Sequence, residues 1–330
     1  MSQAPLLAVQ GLSVSFPAAA GRIPILRDVS FAIERGECLG LVGESGSGKS
    51  MTALAVLGLV PPPGRIEAGH VRLDGEDLLG RPDRELREVR GGRVALVFQE
   101  PAAALNPVLT IGYQVAEAAR LHRGMSRREA RDEAVRLLRL VAMPDPESRL
   151  KSYPHQLSGG QCQRAMIAMA LAGEPDLLLA DEPTTALDVT VQAQILSLLD
   201  QLRRELGLAI LLITHDLGVV AEICDRVAVL YAGEVVELAP RDALLATPAH
   251  PYSRALLASS PRLGRPAPRG EMPAIPGRPA DPARLPGGCA FHPRCARAFE
   301  RCRAEAPAMI SLAPDRQARC FLLEPGAESL

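Results

Sequence analysis

The sequence predicts an α/β fold in which helices cover both faces of a mostly parallel β-sheet. Two observations carry this prediction. Short apolar runs alternate with segments of helical periodicity along the first 255 residues, and such runs are typical of strands that are buried on both faces. A glycine-rich loop also stands between one predicted strand and the helix after it, which is a common connection in βα units.

Residues 1–98 are predicted to form strands and turns around one helix. The strands are expected over residues 37–42, 71–73 and 93–98. The helix follows the glycine-rich loop over residues 50–59 and ends at Gly58 and Pro61, since neither residue favours a continued helix. Asp74-Gly75 is a typical tight-turn dipeptide after the second strand.

Residues 99–157 change character and are predicted to be helical. Ser126 and Glu129 have the spacing of a capping box, and apolar residues then recur at helical intervals. Ser158 can cap a further helix that runs to about Ala172. Beyond it, strands are predicted over residues 177–180, 209–213 and 226–231, with a helix over residues 189–206.

The glycine-rich loop has the composition of a phosphate-binding loop. Glycines let successive backbone N–H groups turn inward around phosphates, and the following helix adds its positive N-terminal end. Lys49 is expected to reach the β- and γ-phosphates, and the Ser50 hydroxyl is expected to ligate Mg²⁺. An ordinary glycine-rich turn is the alternative, but here a strand and a helix flank the loop as the chemistry requires. The predicted nucleoside triphosphate site comprises Gly43, Glu44, Ser45, Gly46, Ser47, Gly48, Lys49 and Ser50.

Two adjacent carboxylates follow the predicted strand at residues 177–180. Asp181 is suited to hold the Mg²⁺ shell, and Glu182 is suited to polarise a water for in-line attack on the γ-phosphate. Four apolar residues before Asp-Glu often mark only the end of a strand. The catalytic interpretation of the pair is favoured by Leu-Ser-Gly-Gly-Gln at residues 157–161, which precedes the pair by about twenty residues.

Together these motifs resemble those of the ATP-binding subunit of ABC transporters over about residues 5–255. The resemblance implies a P-loop NTPase core of the RecA-like type with an ABC-type β-subdomain and a helical subdomain. It also implies that ATP and Mg²⁺ are the cofactors. Gln99 matches the family's Q-loop glutamine, which senses Mg²⁺ and the attacking water. His215 matches the switch histidine that contacts the γ-phosphate.

The resemblance further implies that two subunits share each ATP. The residues that match the signature loop, and so would bind the γ-phosphate held by the opposite subunit, are Ser158, Gly159, Gly160 and Gln161. Asp188 ends Ala186-Leu187-Asp188, which matches the D-loop that couples the two sites. Phe16 stands where the family has an aromatic residue that stacks on adenine, an ordinary core Phe being the alternative. Cys162, where many relatives carry Arg, is interpreted as harmless variation.

A closer resemblance is to the dipeptide and oligopeptide importer branch, which includes nickel importers. It is carried by the strings at residues 97–101, 105–107, 250–257 and 288–295. It implies an ATP-hydrolysing subunit that lies peripherally on the cytoplasmic face of a bacterial inner membrane. The implied partners are a second ATPase subunit, two membrane permeases and, indirectly, an extracytoplasmic binding protein. The two ATPases of this branch are often different proteins, so a heterodimer is expected and a homodimer is the alternative. The sequence does not give the cargo.

Net charge and hydrophobic pattern argue against a nucleic-acid-binding, membrane-spanning or secreted protein. The net charge of −1 gives no electrostatic support to a general nucleic-acid-binding role. No apolar run reaches the roughly 18 residues of a membrane span, and the N-terminus lacks the features of a signal peptide. We therefore expect a cytoplasmic protein without disulfides. A soluble ABC ATPase acting on nucleic acid or ribosomes is the alternative, although such proteins usually carry two cassettes or a long insertion.

Residues 261–288 contain eight prolines and five glycines in 28 positions, a composition that reads as an extended linker. The predicted organisation is a nucleotide-binding domain (1–255, with the helical subdomain at about 99–157), a linker (256–288) and a Cys-rich C-terminal extension (289–330). Because of the linker, the phosphate loop is expected to fold separately from the extension.

Four of the seven cysteines lie in the extension: Cys289, Cys295, Cys302 and Cys320. Four thiols in a short segment with little core suggest an organising metal. Zinc sites usually show tighter Cys pairs, and an iron–sulfur cluster fits the longer spacing as well or better. Some subunits of the resembled branch hold a [4Fe–4S] cluster here, so a cluster is predicted, with Zn²⁺ or free structural thiols as alternatives. A non-enzymatic metal- or redox-sensing module would be a secondary role at most.

Overall fold

Strands and helices alternate along the computed structural model, which describes residues 4–19, 21–185, 187–260 and 274–324. The strands are β1 (Leu7–Ala18), β2 (Gly21–Ile33), β3 (Cys38–Val42), β4 (Arg65–Leu73), β5 (Glu76–Asp77), β6 (Val94–Val97), β7 (Leu177–Asp181), β8 (Ala209–Thr214), β9 (Arg226–Tyr231), β10 (Glu234–Pro240), β11 (Ile310–Ala313) and β12 (Arg316–Ala318). The helices are α1 (Lys49–Val56), α2 (Asp83–Val89), α3 (Pro101–Ala104), α4 (Ile111–Arg123), α5 (Arg127–Leu140), α6 (Pro146–Arg149), α7 (Gly159–Leu171), α8 (Val189–Leu206), α9 (Leu217–Ile223), α10 (Arg241–Ala246), α11 (Pro251–Ser259) and α12 (Glu300–Ala304).

The chain divides into two compact units. The first unit comprises Met1–Ile33, Cys38–Leu79 and Thr214–Leu330, and the second comprises Glu34–Glu37 and Gly80–Ile213. Within the described residues, no helix combines the length and the apolar character that are needed to cross a bilayer.

The first unit contains two groups of paired strands. One is an antiparallel sheet in the order β2-β1-β4-β5. The other runs β3-β9-β10-β12-β11, in which β3 and β9 are parallel and the remaining pairs are antiparallel. All five residues of β3 are buried, which explains its unbroken apolar sequence.

The second unit is built on three parallel strands in the order β6-β7-β8. Helices α4, α5 and α7 pack against one another beside them. Every residue of β8 is buried, and so is every residue of β7 except the last. The predicted α/β class with buried parallel strands is therefore confirmed.

Several predicted elements are found with nearly the expected bounds. The predicted strand, loop and helix at residues 37–59 correspond to β3, the loop after it and α1. Helix α8 and strand β9 match their predicted ranges to the residue. Ser126 and Glu129 form the expected reciprocal capping box at the start of α5, because each side chain accepts a hydrogen bond from the other residue's backbone N–H.

The prediction of a single helix within residues 1–98 is wrong, because α2 is a second one. None of its side chains is buried, so it carries no apolar periodicity that could reveal it. It is held instead by surface charge: Asp83 accepts from Arg87 Nε at 2.8 Å and from Arg90 Nη1 at 2.7 Å.

The phosphate loop and the Cys-rich extension lie in the same compact unit, while their separate folding stays a prediction. Strand β12 of the extension pairs with β10, with Ala318 opposite Glu237. The buried Phe291 ring lies 5.2 Å from the Tyr231 ring and 5.4 Å from the Tyr252 ring. Backbone pairing and aromatic packing thus join the extension to the first unit, and neither can be read from composition.

Candidate nucleotide site and cysteine cavity

The loop between β3 and α1 has a conformation that few residues could adopt. A Cβ at Gly43 would lie 2.2 Å from the carbonyl oxygen of Leu230, a distance that no real side chain tolerates. The loop therefore needs glycine where it leaves β3, and its backbone follows the neighbouring strand closely. Gly48 ends the loop and caps α1.

The side chain of Lys49 turns back along this loop. The residue is 6% exposed, and its Nζ donates to the carbonyl oxygens of Gly43 at 2.8 Å and Glu44 at 3.1 Å. Ser47 Oγ is buried and has no hydrogen-bond partner among the described residues. A buried ammonium, an unsatisfied hydroxyl and a helix N-terminus suit a bound anion such as phosphate.

In the second unit, two residues predicted from separate motifs lie together. Gln99 Nε2 donates to Glu182 Oε2 at 3.2 Å, and Thr185 Oγ1 donates to the same oxygen at 2.9 Å. Glu182 has φ of 45°, which is a strained, left-handed conformation for a residue with a side chain. The Glu182 backbone N–H donates to the carbonyl oxygen of Ile213 at 2.9 Å. Thr185 was not predicted, because a Thr after Asp-Glu-Pro carries no signal of its own.

The remaining predicted site residues stand at the ends of strands or on the surface. Asp181 is the last residue of β7 and is partly buried, while His215 directly follows β8 and is exposed. Asp216, beside His215, caps α9 by accepting from Gly218 N at 2.7 Å. Phe16 on β1 is only partly buried, and its ring lies against Gly64.

The signature residues form the first turn of α7. Ser158 Oγ accepts from Gln161 N at 3.3 Å, and Gln161 Oε1 accepts from Ser158 N at 3.0 Å, which confirms the predicted cap. Ser158 and Gly159 are exposed. A Cβ at Gly160 would lie 2.7 Å from Val191 Cγ1, so the second glycine allows α8 to approach α7.

Of the predicted D-loop, Ala186 lies outside the described residues. Asp188 is exposed and caps α8, with Oδ1 accepting from Thr190 N at 3.1 Å and Val191 N at 3.0 Å. This role at the start of the helix is local, and both hydrogen bonds use the same carboxylate oxygen.

The four cysteines of the extension converge on one cavity. Cys289, Cys295, Cys302 and Cys320 all line it, together with residues that include His250 and Phe291. In the described part of the chain, however, no three His, Cys, Asp or Glu side chains are grouped so that they could hold a metal ion.

Burial makes the thiols of Cys289, Cys295 and Cys320 less acidic. It raises the pKa of Cys289 and Cys295, and it raises the pKa of Cys320 to about 11. These three thiols hold their protons at neutral pH, so a metal bound here must displace them.

Sequence reasoning missed two residues that contact the phosphate loop. Tyr252 Oη accepts from Glu44 N at 2.8 Å, and burial raises the pKa of Tyr252. Arg294 of the extension donates to the Glu44 carboxylate. Glu44 and Arg294 are 250 positions apart, and no local pattern connects residues at that separation.

Comparison with known proteins places this arrangement in a family. A model described as "ABC transporter" matches residues 26–185, and one described as "Oligopeptide/dipeptide transporter, C-terminal region" matches residues 236–302. The oligopeptide transport ATP-binding protein OppD of Salmonella typhimurium is 49% identical over 96% of this chain and 93% of its own length. The chain belongs to the ABC transporter family. The predicted resemblance to this family and to its peptide-transport branch is thereby confirmed.

Other ABC transporter proteins give the same result. A putative peptide import ATP-binding protein of Brucella abortus is 50% identical over 97% of this chain and 96% of its own length. The dipeptide transport ATP-binding protein DppD of Escherichia coli is 46% identical, with 96% of both chains covered. The ATP-binding cassette MJ0796, solved as a dimer bound to ADP and Pi, is 32% identical with a TM-score of 0.65 over 71% of this chain and 98% of that chain. The ABC fold and the predicted ATPase activity are confirmed by these matches.

Proposed function

We propose that this ABC ATPase drives the uptake of dipeptides or oligopeptides through partner permeases. The observation that carries the proposal is that its similarity to peptide-transport proteins extends through the C-terminal region, over nearly the whole chain. This similarity makes a peptide the expected class of cargo. No individual peptide is assigned, because cargo is selected outside this subunit in such systems.

The proposed chemistry follows from the side chains described above. The loop at residues 43–50 binds the phosphates of ATP, and Lys49 compensates their negative charge. Glu182 polarises the attacking water and accepts its proton, while Gln99, which donates to Glu182 at 3.2 Å, helps to orient it. His215 is the proposed contact of the γ-phosphate, and Phe16 is the proposed stacking partner of adenine.

Mg²⁺ suits the oxygen donors that the motifs supply. Ser50, Gln99 and Asp181 are its proposed ligands, because hydroxyl, amide and carboxylate oxygens are the donors that this hard cation prefers. When bound, Mg²⁺ would neutralise charge on the β- and γ-phosphates.

We further propose that this chain acts as one of two ATPase subunits. The exposure of Ser158, Gly159 and Asp188 leaves the signature and D-loop residues accessible to a second subunit. A different ATPase is the proposed partner, and a second copy of this chain is the alternative. Two permeases would hold the pair on the cytoplasmic face of the inner membrane, with an extracytoplasmic binding protein delivering the peptide.

Co-purification and uptake test the peptide-importer proposal. The full chain, tagged and isolated from its own host, should bring down membrane permeases, and its loss should abolish the uptake of labelled peptides. Recovery of nucleic acid or ribosomes without permeases would support the soluble ABC ATPase instead.

Ser158 is predicted to act on the ATP of the partner. An assembly in which this chain carries Ser158→Ala and its partner carries a P-loop Lys→Ala should keep one site with intact motifs. Placing both changes in this chain should damage both sites. Ser126→Ala is the matched control, because it removes an equivalent helix cap from α5 at a similar cost of about 1 kcal/mol. A lone chain whose ATPase rate per molecule does not depend on concentration would contradict this prediction.

We also propose that the cysteine cavity binds a [4Fe–4S] cluster. Four thiols line one cavity, and in such a cluster each thiolate ligates a different iron, so the sulfurs need not be grouped around one point as a single metal ion requires. Zn²⁺ is the alternative, and it would require the four sulfurs to close around one ion.

The cluster predicts a visible colour. Thiolate-bound iron–sulfur clusters absorb visible light, so the chain purified without oxygen should be brown, with about four iron and four sulfide per chain. Replacing any of Cys289, Cys295, Cys302 or Cys320 with Ser should bleach it. Cys38→Ser is the control, since Cys38 lies in β3. Colourless protein with one zinc would assign a zinc site, and colourless protein without metal would leave four free thiols.

A further inference from the structure

Arg294 is a buried arginine in the Cys-rich extension. It ends the short 3-10 turn His292–Arg294, between Cys289 and Cys295. Its side chain is only 4% exposed. A guanidinium is always charged, and it is rarely buried unless it is paired, so its partner indicates what it does.

That partner is the Glu44 carboxylate of the phosphate loop. Arg294 Nη1 donates to Oε2 at 2.6 Å, and Nη2 donates to Oε1 at 2.9 Å. This bidentate geometry fixes the orientation of the carboxylate as well as its distance. The third nitrogen, Nε, donates to the carbonyl oxygen of Pro276 at 2.8 Å, so the guanidinium is itself held in place.

Glu44 is the residue through which these contacts reach Lys49. Its backbone N–H donates to Tyr252 Oη at 2.8 Å. Its carbonyl oxygen accepts from Lys49 Nζ at 3.1 Å and from Ser47 N at 3.2 Å. The carboxylate and both backbone polar groups of Glu44 are therefore fixed, and the orientation of its carbonyl helps to set where the Lys49 ammonium lies.

The charge of Arg294 has a second effect, on the electrostatic potential at the phosphate loop. Glu44 places a carboxylate in a loop whose proposed ligand is a polyanion, and an uncompensated charge there would repel the phosphates. Arg294 supplies the compensating charge from the extension. The Arg294 side chain is buried and that of Glu44 is 23% exposed, so removing Arg294 leaves a partly desolvated carboxylate without its partner in the loop, which is unfavourable.

The turn that carries Arg294 is anchored independently of this ion pair. Phe291 packs edge-on against Tyr231 at 5.2 Å, and its ring lies 5.9 Å from that of His250. The guanidinium of Arg294 lies 6.0 Å from the Tyr231 ring centroid. Packing of aromatic rings thus holds the turn that carries Arg294 in place, and a residue that positions another must itself be fixed in this way.

We propose that Arg294 is a positioning residue of the phosphate loop, by which the C-terminal extension sets the affinity of this subunit for ATP. The proposal rests on the assignment of residues 43–50 as the ATP site. It differs from a purely stabilising role for the ion pair, which would leave the ATP affinity of the folded chain unchanged.

The test compares Arg294→Ala, Glu44→Gln and the double variant in the full chain. The Kd for Mg²⁺-ATP is measured by calorimetry, with Tm as a check on folding. Arg294→Ala is expected to raise the Kd about tenfold or more, and in the assembled transporter to raise KM with little change in kcat. In the double variant the Kd should return to within about threefold of Glu44→Gln alone, since no unpaired carboxylate remains. Arg301→Ala, which removes an exposed arginine of the same extension paired with Glu305 at 2.9 Å, should leave the Kd unchanged.

A folded Arg294→Ala variant with the wild-type Kd would overturn the proposal, whatever its Tm. If Arg294→Ala does not fold, Arg294→Lys decides the matter. Lys keeps the positive charge but cannot make the bidentate contact with the Glu44 carboxylate, so the Kd for Mg²⁺-ATP should rise about threefold. An unchanged Kd would overturn the proposal. Lys49→Ala separates this outcome from a failure of the ATP site: if it too binds ATP normally, the assignment of residues 43–50 is wrong.

Discussion

Replacing Glu182 with Gln is expected to lower the rate of ATP hydrolysis by about 10²–10⁴-fold while ATP binding is retained. An amide cannot accept a proton from the attacking water as a carboxylate does. Gln still fills the same space and can keep a contact with Thr185, whose hydroxyl lies 2.9 Å from the carboxylate. The loss should therefore appear in kcat, with the affinity for ATP little changed.

The measurement is ATP turnover in the assembled transporter, together with the Kd for ATP of each variant. Glu182→Gln should also trap an ATP-loaded dimer, visible as a larger species during gel filtration with ATP. Glu205→Gln is the control, because Glu205 is an exposed carboxylate on α8. Near-normal turnover by Glu182→Gln would remove Glu182 from its proposed role.

Replacing Lys49 with Ala is expected to weaken ATP binding by about 1.5–3 kcal/mol, which corresponds to a Kd raised roughly 10- to 150-fold. The change removes the charge that compensates the phosphates. It also removes the donor that joins the carbonyls of Gly43 and Glu44, so the loop loses an internal support as well.

The sequence provides a matched control for this variant. Lys151 is the only other lysine among the 330 residues, and it is exposed. Lys151→Ala should leave the Kd for ATP unchanged, whereas Lys49→Ala should raise it without a comparable fall in Tm. Equal affinity in wild type and Lys49→Ala would count decisively against the phosphate-binding role of the loop.

Elements whose sequence carries a local pattern were predictable. Helix α8 and strand β9 were predicted to the residue, since apolar spacing and flanking polar residues define both. Helix α2 was not, because it buries no side chain. The long hairpin of β1 and β2 was also missed. Its register shifts between Val9 and Leu12, and such irregularity interrupts the alternation that reveals a strand.

The candidate site also contains residues that local patterns predict and contacts that they do not predict. Gln99 and Glu182 follow β6 and β7, which are adjacent parallel strands with Val97 opposite Ala180. Parallel strands end at the same edge of a sheet, so motifs that each follow a strand can be expected to meet there. The pairing of Glu44 with Arg294 depends on how the extension docks. That is decided by contacts between distant residues, which a single sequence does not encode in any local pattern.

The pairing of β12 with β10 has a consequence for anyone who shortens this protein. A cassette cut back to residue 260 would present β10 as an open edge, with backbone N–H and C=O groups available to strands of other molecules. It would also lose Arg316, whose Nη2 lies 3.6 Å from the fully buried Glu237 carboxylate. Exposed edges of this kind template aggregation, so we expect the shortened cassette to self-associate more readily than the full chain, whatever the cysteines of the extension bind.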